Sequence, residues 1–137
     1  MKRTLLRTVT TIILAYVIIL AVMFVCQRSM MYFPQAKPTT EELANYAPAA
    51  NIIQVVTEDR LVLEALDIPP KNPQAPVILA FHGNGSAAIW MASQLYGLTR
   101  DGTGIISAEY RGYSGNGGAI NEQGLYMDAD AYYAYAR

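Results

Sequence analysis

Cysteine and histidine are nearly absent from this sequence, which has one of each among its 137 residues. A single cysteine allows no disulfide framework and no zinc motif built on paired thiolates. With one histidine as well, a His/Cys metal centre is disfavoured, and we expect neither a metal nor a cofactor. Charged residues make up only 15% of the chain, and the formal net charge is -1. Because no basic patch interleaved with aromatic residues follows residue 30, nucleic acid is not an expected partner.

Near the N-terminus, residues 8–27 form a long apolar stretch without a single charge. A helix of about 20 residues spans the hydrocarbon core of a bilayer, which is about 30 Å thick. The apolar region of a cleavable signal peptide is usually about 7 to 15 residues, and no A-x-A-like cleavage pattern precedes Gln27. Residues 1–30 are therefore predicted to be a cytoplasmic tip and an uncleaved transmembrane helix, with the lipid bilayer as partner. A signal peptide with a poor cleavage site is the alternative.

Basic residues indicate the orientation of this helix. Lys2, Arg3 and Arg7 precede the apolar stretch, whereas only Arg28 and then Lys37 follow it. By the positive-inside rule, the N-terminus is predicted to be cytoplasmic. The rest of the chain is then expected on the outer side, which is periplasmic, lumenal or extracellular.

Residues 31–50 are predicted to be a membrane-proximal connector, because three prolines interrupt regular structure there. Within it, Thr39 is followed three residues later by Glu42. That spacing is typical of a capping box, so a short helix is expected to run through Tyr46.

Residues 51–137 show the strand and helix patterns of a single α/β domain. The β-rich segments 51–57 and 61–68, separated by three polar residues, predict an antiparallel hairpin. Two further apolar runs, 77–81 and 105–110, predict buried strands. The length of chain between them favours a parallel strand-helix-strand unit.

Two helices are predicted in this domain. The first covers residues 87–99, and an apolar stripe of Ala88, Met91, Leu95 and Leu98 should pack on the sheet. The second covers residues 121–137. Its packed face is expected to carry Leu125, Ala129, Tyr132 and Ala136, with Asp128 and Asp130 on the outside.

A glycine turn, His82-Gly83-Asn84-Gly85, follows the apolar run 77–81. Gly83 and Gly85 permit positive φ and the close approach of a ligand to the backbone. The helix expected after the turn would add the positive end of its dipole. The turn is therefore predicted to hold an anion or a developing oxyanion.

Two chemistries fit such a turn. In one, its main-chain N–H groups form an oxyanion hole. In the other, Gly83-x-Gly85-x-x-Ala88 is the phosphate turn of a dinucleotide-binding fragment, and Glu109 near the end of the next strand holds a ribose. The dinucleotide interpretation gives no role to another glycine-rich loop, residues 111–118.

Taken together, these motifs resemble the α/β-hydrolase superfamily, specifically its membrane-anchored serine hydrolases. The resemblance covers nearly the whole chain from residue 31 and rests on I-L-A-F-H-G-N-G, Y-R-G-Y-S-G-N-G-G and E-Q-G-L-Y-M-D-A-D-A. It implies a partial α/β-hydrolase sheet and hydrolysis of an ester, thioester or amide through an acyl-serine. It further implies that the main-chain N–H of Asn84, between Gly83 and Gly85, is an oxyanion donor, and that His82 orients the loop as a structural residue.

The same resemblance implies a G-x-S-x-G elbow followed by an acid and a histidine, and the sequence contains no such set. Ser114 in G-Y-S-G-N is predicted to be a turn residue, and His82 precedes it in the chain. We therefore expect the N-terminal portion of a hydrolase, truncated before the nucleophile strand and inactive alone. A small-molecule or acyl substrate is expected only if the missing half is supplied, and a non-catalytic membrane-anchored binding module is a further alternative.

Overall fold

The computed structural model describes residues 2–137, so residue 1 of the expected cytoplasmic tip lies outside the described residues. The chain divides into two compact units, with the boundary between Tyr32 and Phe33. In the first unit, helix α1 (Lys2–Met31) has no buried residue. Its most apolar part has a mean hydropathy of 2.8, so by length and composition α1 can cross a membrane.

The second unit is a four-stranded mixed sheet with helices. Its elements are α2 (Thr40–Tyr46), β1 (Asn51–Val56), β2 (Val62–Ile68), β3 (Val77–Phe81), α3 (Ala88–Leu95), a 3-10 helix (Tyr96–Asp101), β4 (Gly104–Ala108) and α4 (Glu122–Tyr135). The strand order is β1-β2-β4-β3. β1 and β4 are antiparallel to β2, whereas β3 is parallel to β4. The predicted α/β class, with a hairpin followed by a parallel strand-helix-strand unit, is confirmed.

The two parallel strands differ in burial because they differ in position. β4 lies between β2 and β3, and all five of its residues are buried. β3 lies at the edge of the sheet, where Val77 is 38% exposed and only Ala80 is buried. β3 is therefore less buried than its apolar sequence predicts by itself, because it has one strand neighbour instead of two.

The core has two parts, and successive residues of β4 point into different ones. Ile105 belongs to the cluster that contains Ala88, Ile89 and Ala92 of α3. Ile106 belongs to the cluster that contains Tyr132 of α4. Helices α3 and α4 therefore cover opposite faces of the sheet.

The buried face of α3 differs from the predicted stripe. Ala88, Ile89 and Ala92 are buried, while Leu98 is 46% exposed. The α-helix ends at Leu95, and the chain continues as a 3-10 helix with about three residues per turn. The number of residues per turn changes after Leu95. Leu98, which a continuous α-helix would place on the packed face, therefore points away from it.

The buried face of α4 also differs from the prediction. Asp128, expected on the outside, is fully buried together with Tyr132. Leu125 and Ala129, expected on the packed face, are only partly buried. The reason is a polar contact of Asp128 with the second glycine-rich loop, described below.

The predicted capping box is confirmed at α2. The Thr39 hydroxyl accepts a hydrogen bond from the Glu42 N–H, and the Glu42 carboxylate accepts one from the Thr39 N–H. α2 contacts α3, where the rings of Tyr46 and Trp90 meet edge to face at 4.8 Å.

Candidate functional site

The His82-Gly83-Asn84-Gly85 turn lies at the carboxyl end of β3 and leads into α3. Phe81 pairs with Ala108 at the ends of β3 and β4, so His82 and Glu109 follow at the same edge of the sheet. His82 and Glu109 are both 4% exposed, whereas residues 83–85 are exposed. The turn therefore presents its backbone to solvent above a buried polar pair.

The buried pair is a direct hydrogen bond. Nε2 of His82 lies 2.6 Å from Oε1 of Glu109, and Nδ1 lies 2.9 Å from the carbonyl oxygen of Gly83. Both acceptors are oxygens, so the doubly protonated ring satisfies both contacts. Since both nitrogens are engaged, neither is placed to take a proton from a serine hydroxyl, as the base of a catalytic triad must.

The protonation of His82 reflects this environment. Burial lowers its pKa, but hydrogen bonds to Glu109 and to the Gly83 carbonyl, with the charge of Glu109, outweigh that effect. The pKa of His82 is therefore raised above its usual 6.5. This environment therefore favours the imidazolium form, which donates from both nitrogens, more than water does.

Glu109 also contacts the start of α3. Its Oε2 accepts a hydrogen bond of 2.9 Å from the N–H of Ala88. The Ala88 carbonyl in turn accepts a hydrogen bond of 2.8 Å from the hydroxyl of Ser107, on β4. An internal carboxylate thus occupies the positive end of α3, where the dipole was expected to face a ligand.

This arrangement does not favour the dinucleotide alternative. In that reading Glu109 would hold a ribose, but the carboxylate is buried and bonded to His82 and Ala88. A phosphate near the first turn of α3 would meet this negative charge in place of a positive helix end.

The two glycines of the turn differ. Gly85 has φ +72, a conformation that favours glycine, so the sequence expectation fits at this position. Gly83 has no positive φ, and a Cβ built there would meet nothing within 4 Å. Of the two glycines, Gly85 is therefore the one whose backbone conformation favours glycine.

The Asn84 side chain ties the turn to two other segments. Its Oδ1 accepts hydrogen bonds from the N–H of Phe33, at 2.9 Å, and from the hydroxyl of Tyr113, at 2.8 Å. Tyr113 is 3% exposed and lies in the second glycine-rich loop. The side chain therefore joins the turn to the connector and to that loop, while the main chain of Asn84 lies in the exposed part of the turn.

Arg111 anchors the second glycine-rich loop through two carboxylates. Its guanidinium binds Asp59 in the hairpin turn at 2.9 and 3.1 Å, and it binds Asp128 of α4 at 2.7 Å. The hydrogen bonds from Arg111, with that of the Thr57 hydroxyl, lower the pKa of Asp59 to about 2. The same two carboxylates raise the pKa of Arg111. The loop is thereby linked to both the hairpin and α4.

Asn116, which lies in this loop, forms hydrogen bonds with the main chain of β2. Its side chain accepts a hydrogen bond from the N–H of Glu64 and donates one to the Glu64 carbonyl, at 2.9 and 3.1 Å. β4 pairs with β2 only at Leu66–Ile68. Asn116 thus supplies the bonds that a neighbouring strand supplies further along β2.

Ser114 lies in a turn, as predicted, with φ 49. It is 8% exposed, and its N–H donates to the carbonyl of Gln35. Its hydroxyl has no hydrogen-bond partner among the residues the structure describes. It lines a cavity of about 40 Å³ that Glu109 and Leu66 also line.

Sequence patterns alone did not reveal the roles of Glu109, Tyr113, Asn116 and Asp128. The available signal was weak: Glu109 directly follows an apolar strand, and Asp128 interrupts the apolar spacing of α4. A buried carboxylate needs a partner, but the sequence does not say which donor it meets.

No protein-family model matches the chain. An uncharacterized protein of Mycobacterium tuberculosis, found in two strains, is 35% identical over 109 residues. That match covers 77% of this chain and 37% of the relative, so the chain spans little more than a third of the relative's length.

The fold is similar to that of a Pyrococcus furiosus esterase, Pf2001. In two of its crystal structures the TM-scores are 0.57 and 0.56, with sequence identities of 17% and 19%. The similarity covers 76% and 77% of this chain and 41% of the esterase chain in both cases. The likeness therefore concerns the fold alone, which corresponds to part of the fold of that esterase.

Proposed function

We propose that this chain forms the oxyanion-loop part of a membrane-anchored α/β hydrolase that cleaves an ester, thioester or amide through an acyl-serine. The main-chain N–H of Asn84 donates to the oxygen that becomes negative when the nucleophile attacks. His82, Gly83 and Gly85 shape the turn that presents this N–H. The 137 residues carry no nucleophile elbow, so they are inactive without one.

The observation that carries the proposal is the position of the turn. It is exposed at the carboxyl end of β3, next to the end of the parallel strand β4, which is where open α/β sheets bind ligands. The similarity of the fold to an esterase supports an acyl substrate over a nucleotide. An oxyanion donor must be held rigidly before the reaction, and the buried His82–Glu109 pair below the turn supports that requirement.

We further propose that α1 is a single-pass anchor whose N-terminus is cytoplasmic. Its length and mean hydropathy support a span, and the excess of basic residues before it supports the orientation. The α/β domain then acts on the outer side. Protease digestion of intact spheroplasts tests this orientation: degradation of the domain supports it, and protection contradicts it.

A fluorophosphonate probe tests the chemistry, because it labels only activated serines. The 137-residue chain in detergent micelles is expected to remain unlabelled, as is its Ser114→Ala variant. Labelling of the wild-type chain that is lost in Ser114→Ala would overturn the proposal, because it would make Ser114 the nucleophile.

The DNA that follows the codon for Arg137 provides a second test. A continuing frame that encodes G-x-S-x-G within about 30 residues supports the proposal. In a chain that includes this elbow, Asn84→Pro removes the donor N–H and should lower kcat by about 10²- to 10³-fold. Asn84→Ala keeps that N–H, so it controls for loss of the side chain. Equal kcat in the two variants would contradict the assigned donor.

A further inference from the structure

We propose that Glu109 is the positioning residue of the loop between β3 and α3, and that its single buried carboxylate holds both ends of this loop. The proposal rests on the proposed function, because the same loop carries the oxyanion donor. It assigns Glu109 a role in place of the ribose contact considered from the sequence.

The two carboxylate oxygens of Glu109 bind the two different ends of the loop. Oε1 binds His82, the first residue after β3, and Oε2 binds the N–H of Ala88, the first residue of α3. The hydroxyl of Ser107 binds the Ala88 carbonyl from β4. The N–H and the carbonyl of Ala88 are therefore both held, the first by Glu109, which directly follows β4, and the second by Ser107 of β4.

The middle of the loop is held by its two ends and by the Asn84 side chain, which binds Phe33 and Tyr113. Residues 83–85 are exposed, and Gly83 and Gly85 have no side chain with which to pack. Exposed backbone with little packing opens locally at low free-energy cost. The buried contacts of Glu109 with His82 and Ala88 are thus the fixed points at the two ends of this exposed backbone.

Burial makes these contacts strong. The side chains of His82 and Glu109 are 1% and 5% exposed, so little water competes for the hydrogen bond. An isolated buried carboxylate is very costly, but here each oxygen has a donor. The imidazole otherwise faces the rings of Tyr110 and Tyr113, at 4.7 and 5.3 Å. Glu109 is therefore the carboxylate that contacts His82.

Because the chain has one histidine, NMR reports on this contact without ambiguity. The full chain in detergent micelles is compared with Glu109→Gln, which keeps the shape and removes the charge. The pKa of His82 is expected to fall by about 1 or more in the variant. Amide hydrogen exchange of residues 83–88 is expected to become at least about 10-fold faster. Glu58→Gln, an exposed carboxylate in the hairpin turn, is the matched control and should change neither.

Hydrogen exchange at the amides of β4 distinguishes a role of Glu109 in positioning the loop from a role in stabilising the whole domain. If exchange at Ile105 and Ile106 accelerates as much as exchange of residues 83–88, Glu109 stabilises the whole domain and the proposal is overturned. An unchanged pKa of His82 in Glu109→Gln also overturns it.

The wild-type chain offers a test that needs no variant, should Glu109→Gln not fold. As pH rises through the pKa of His82, the imidazolium loses its charge and its contact with Glu109 weakens. Exchange of residues 83–88, corrected for intrinsic rates, should then accelerate relative to β4, and a constant ratio would refute the proposal. None of these readouts requires catalysis, so failure of the hydrolase assignment would leave them interpretable.

Discussion

Arg111 binds the carboxylate of Asp128 with its main chain and its side chain at once. The Arg111 N–H donates to Oδ2 at 3.0 Å, and Nε donates to Oδ1 at 2.9 Å. Both residues are buried, at 4% and 0% exposure. This contact fixes the start of the second glycine-rich loop on α4, and Tyr113 of that loop reaches the His-Gly-Asn-Gly turn through Asn84.

Asp128→Asn is expected to destabilise the domain by about 3 kcal/mol, because it leaves the buried Arg111 guanidinium without one of its two charged partners. The measurement is urea unfolding of the full chain in detergent micelles. Asp130→Asn, an exposed neighbour on the same helix, is the control and should change stability by no more than about 0.5 kcal/mol. Equal effects of the two substitutions would show that the buried pair does not stabilise the fold.

Gly124→Ala is expected to destabilise the domain by about 1–3 kcal/mol, although alanine favours helices by about 1 kcal/mol over glycine. A Cβ at residue 124 would lie 2.7 Å from Cδ, Nε and Nη1 of Arg111, whose side chain is held by two carboxylates. Gly97→Ala is the control, because a Cβ there meets nothing within 4 Å. A Gly124→Ala chain as stable as wild type in thermal unfolding would contradict this close approach.

Stability is expected to decrease with rising pH on account of His82. Its pKa in the folded chain is raised above 6.5, so the folded state holds the proton more tightly than the unfolded state. The resulting stabilisation is complete below pH about 6.5 and disappears as pH rises through the folded pKa. Urea unfolding at a series of pH values measures this loss, and His82→Gln should flatten the profile in that window. Parallel profiles for the two chains would disprove the assignment.

Thr39→Ala is expected to weaken α2 by about 1 kcal/mol, because it removes the hydroxyl that accepts from the Glu42 N–H. Amide exchange of residues 42–46 should accelerate in the variant. Thr40→Ala, which replaces the first helical residue and leaves the cap in place, is the matched control. Similar exchange in both variants would argue against the capping box as the source of stability.

Sequence patterns predicted the structure correctly where interactions between residues close together in the chain determine it. The hairpin around Glu58, the Thr39 cap and the order of strands and helices follow from alternation, capping and turn preferences, which act over a few residues. The predicted stripe on α3 failed at Leu98, because a change from α to 3-10 geometry leaves no clear signal in the apolar spacing.

The sequence by itself determined an apolar N-terminal helix, the α/β class and a glycine turn at the end of a strand, since each depends on composition or short-range periodicity. Only the tertiary structure decided that Glu109 joins His82 to Ala88 and that Asp128 is buried against Arg111. The physical reason is that a buried charge must find its partner across the fold, and the residues that meet here are 17 to 27 positions apart in the chain. The edge position of β3 likewise follows from strand order, which residues 77–81 do not encode.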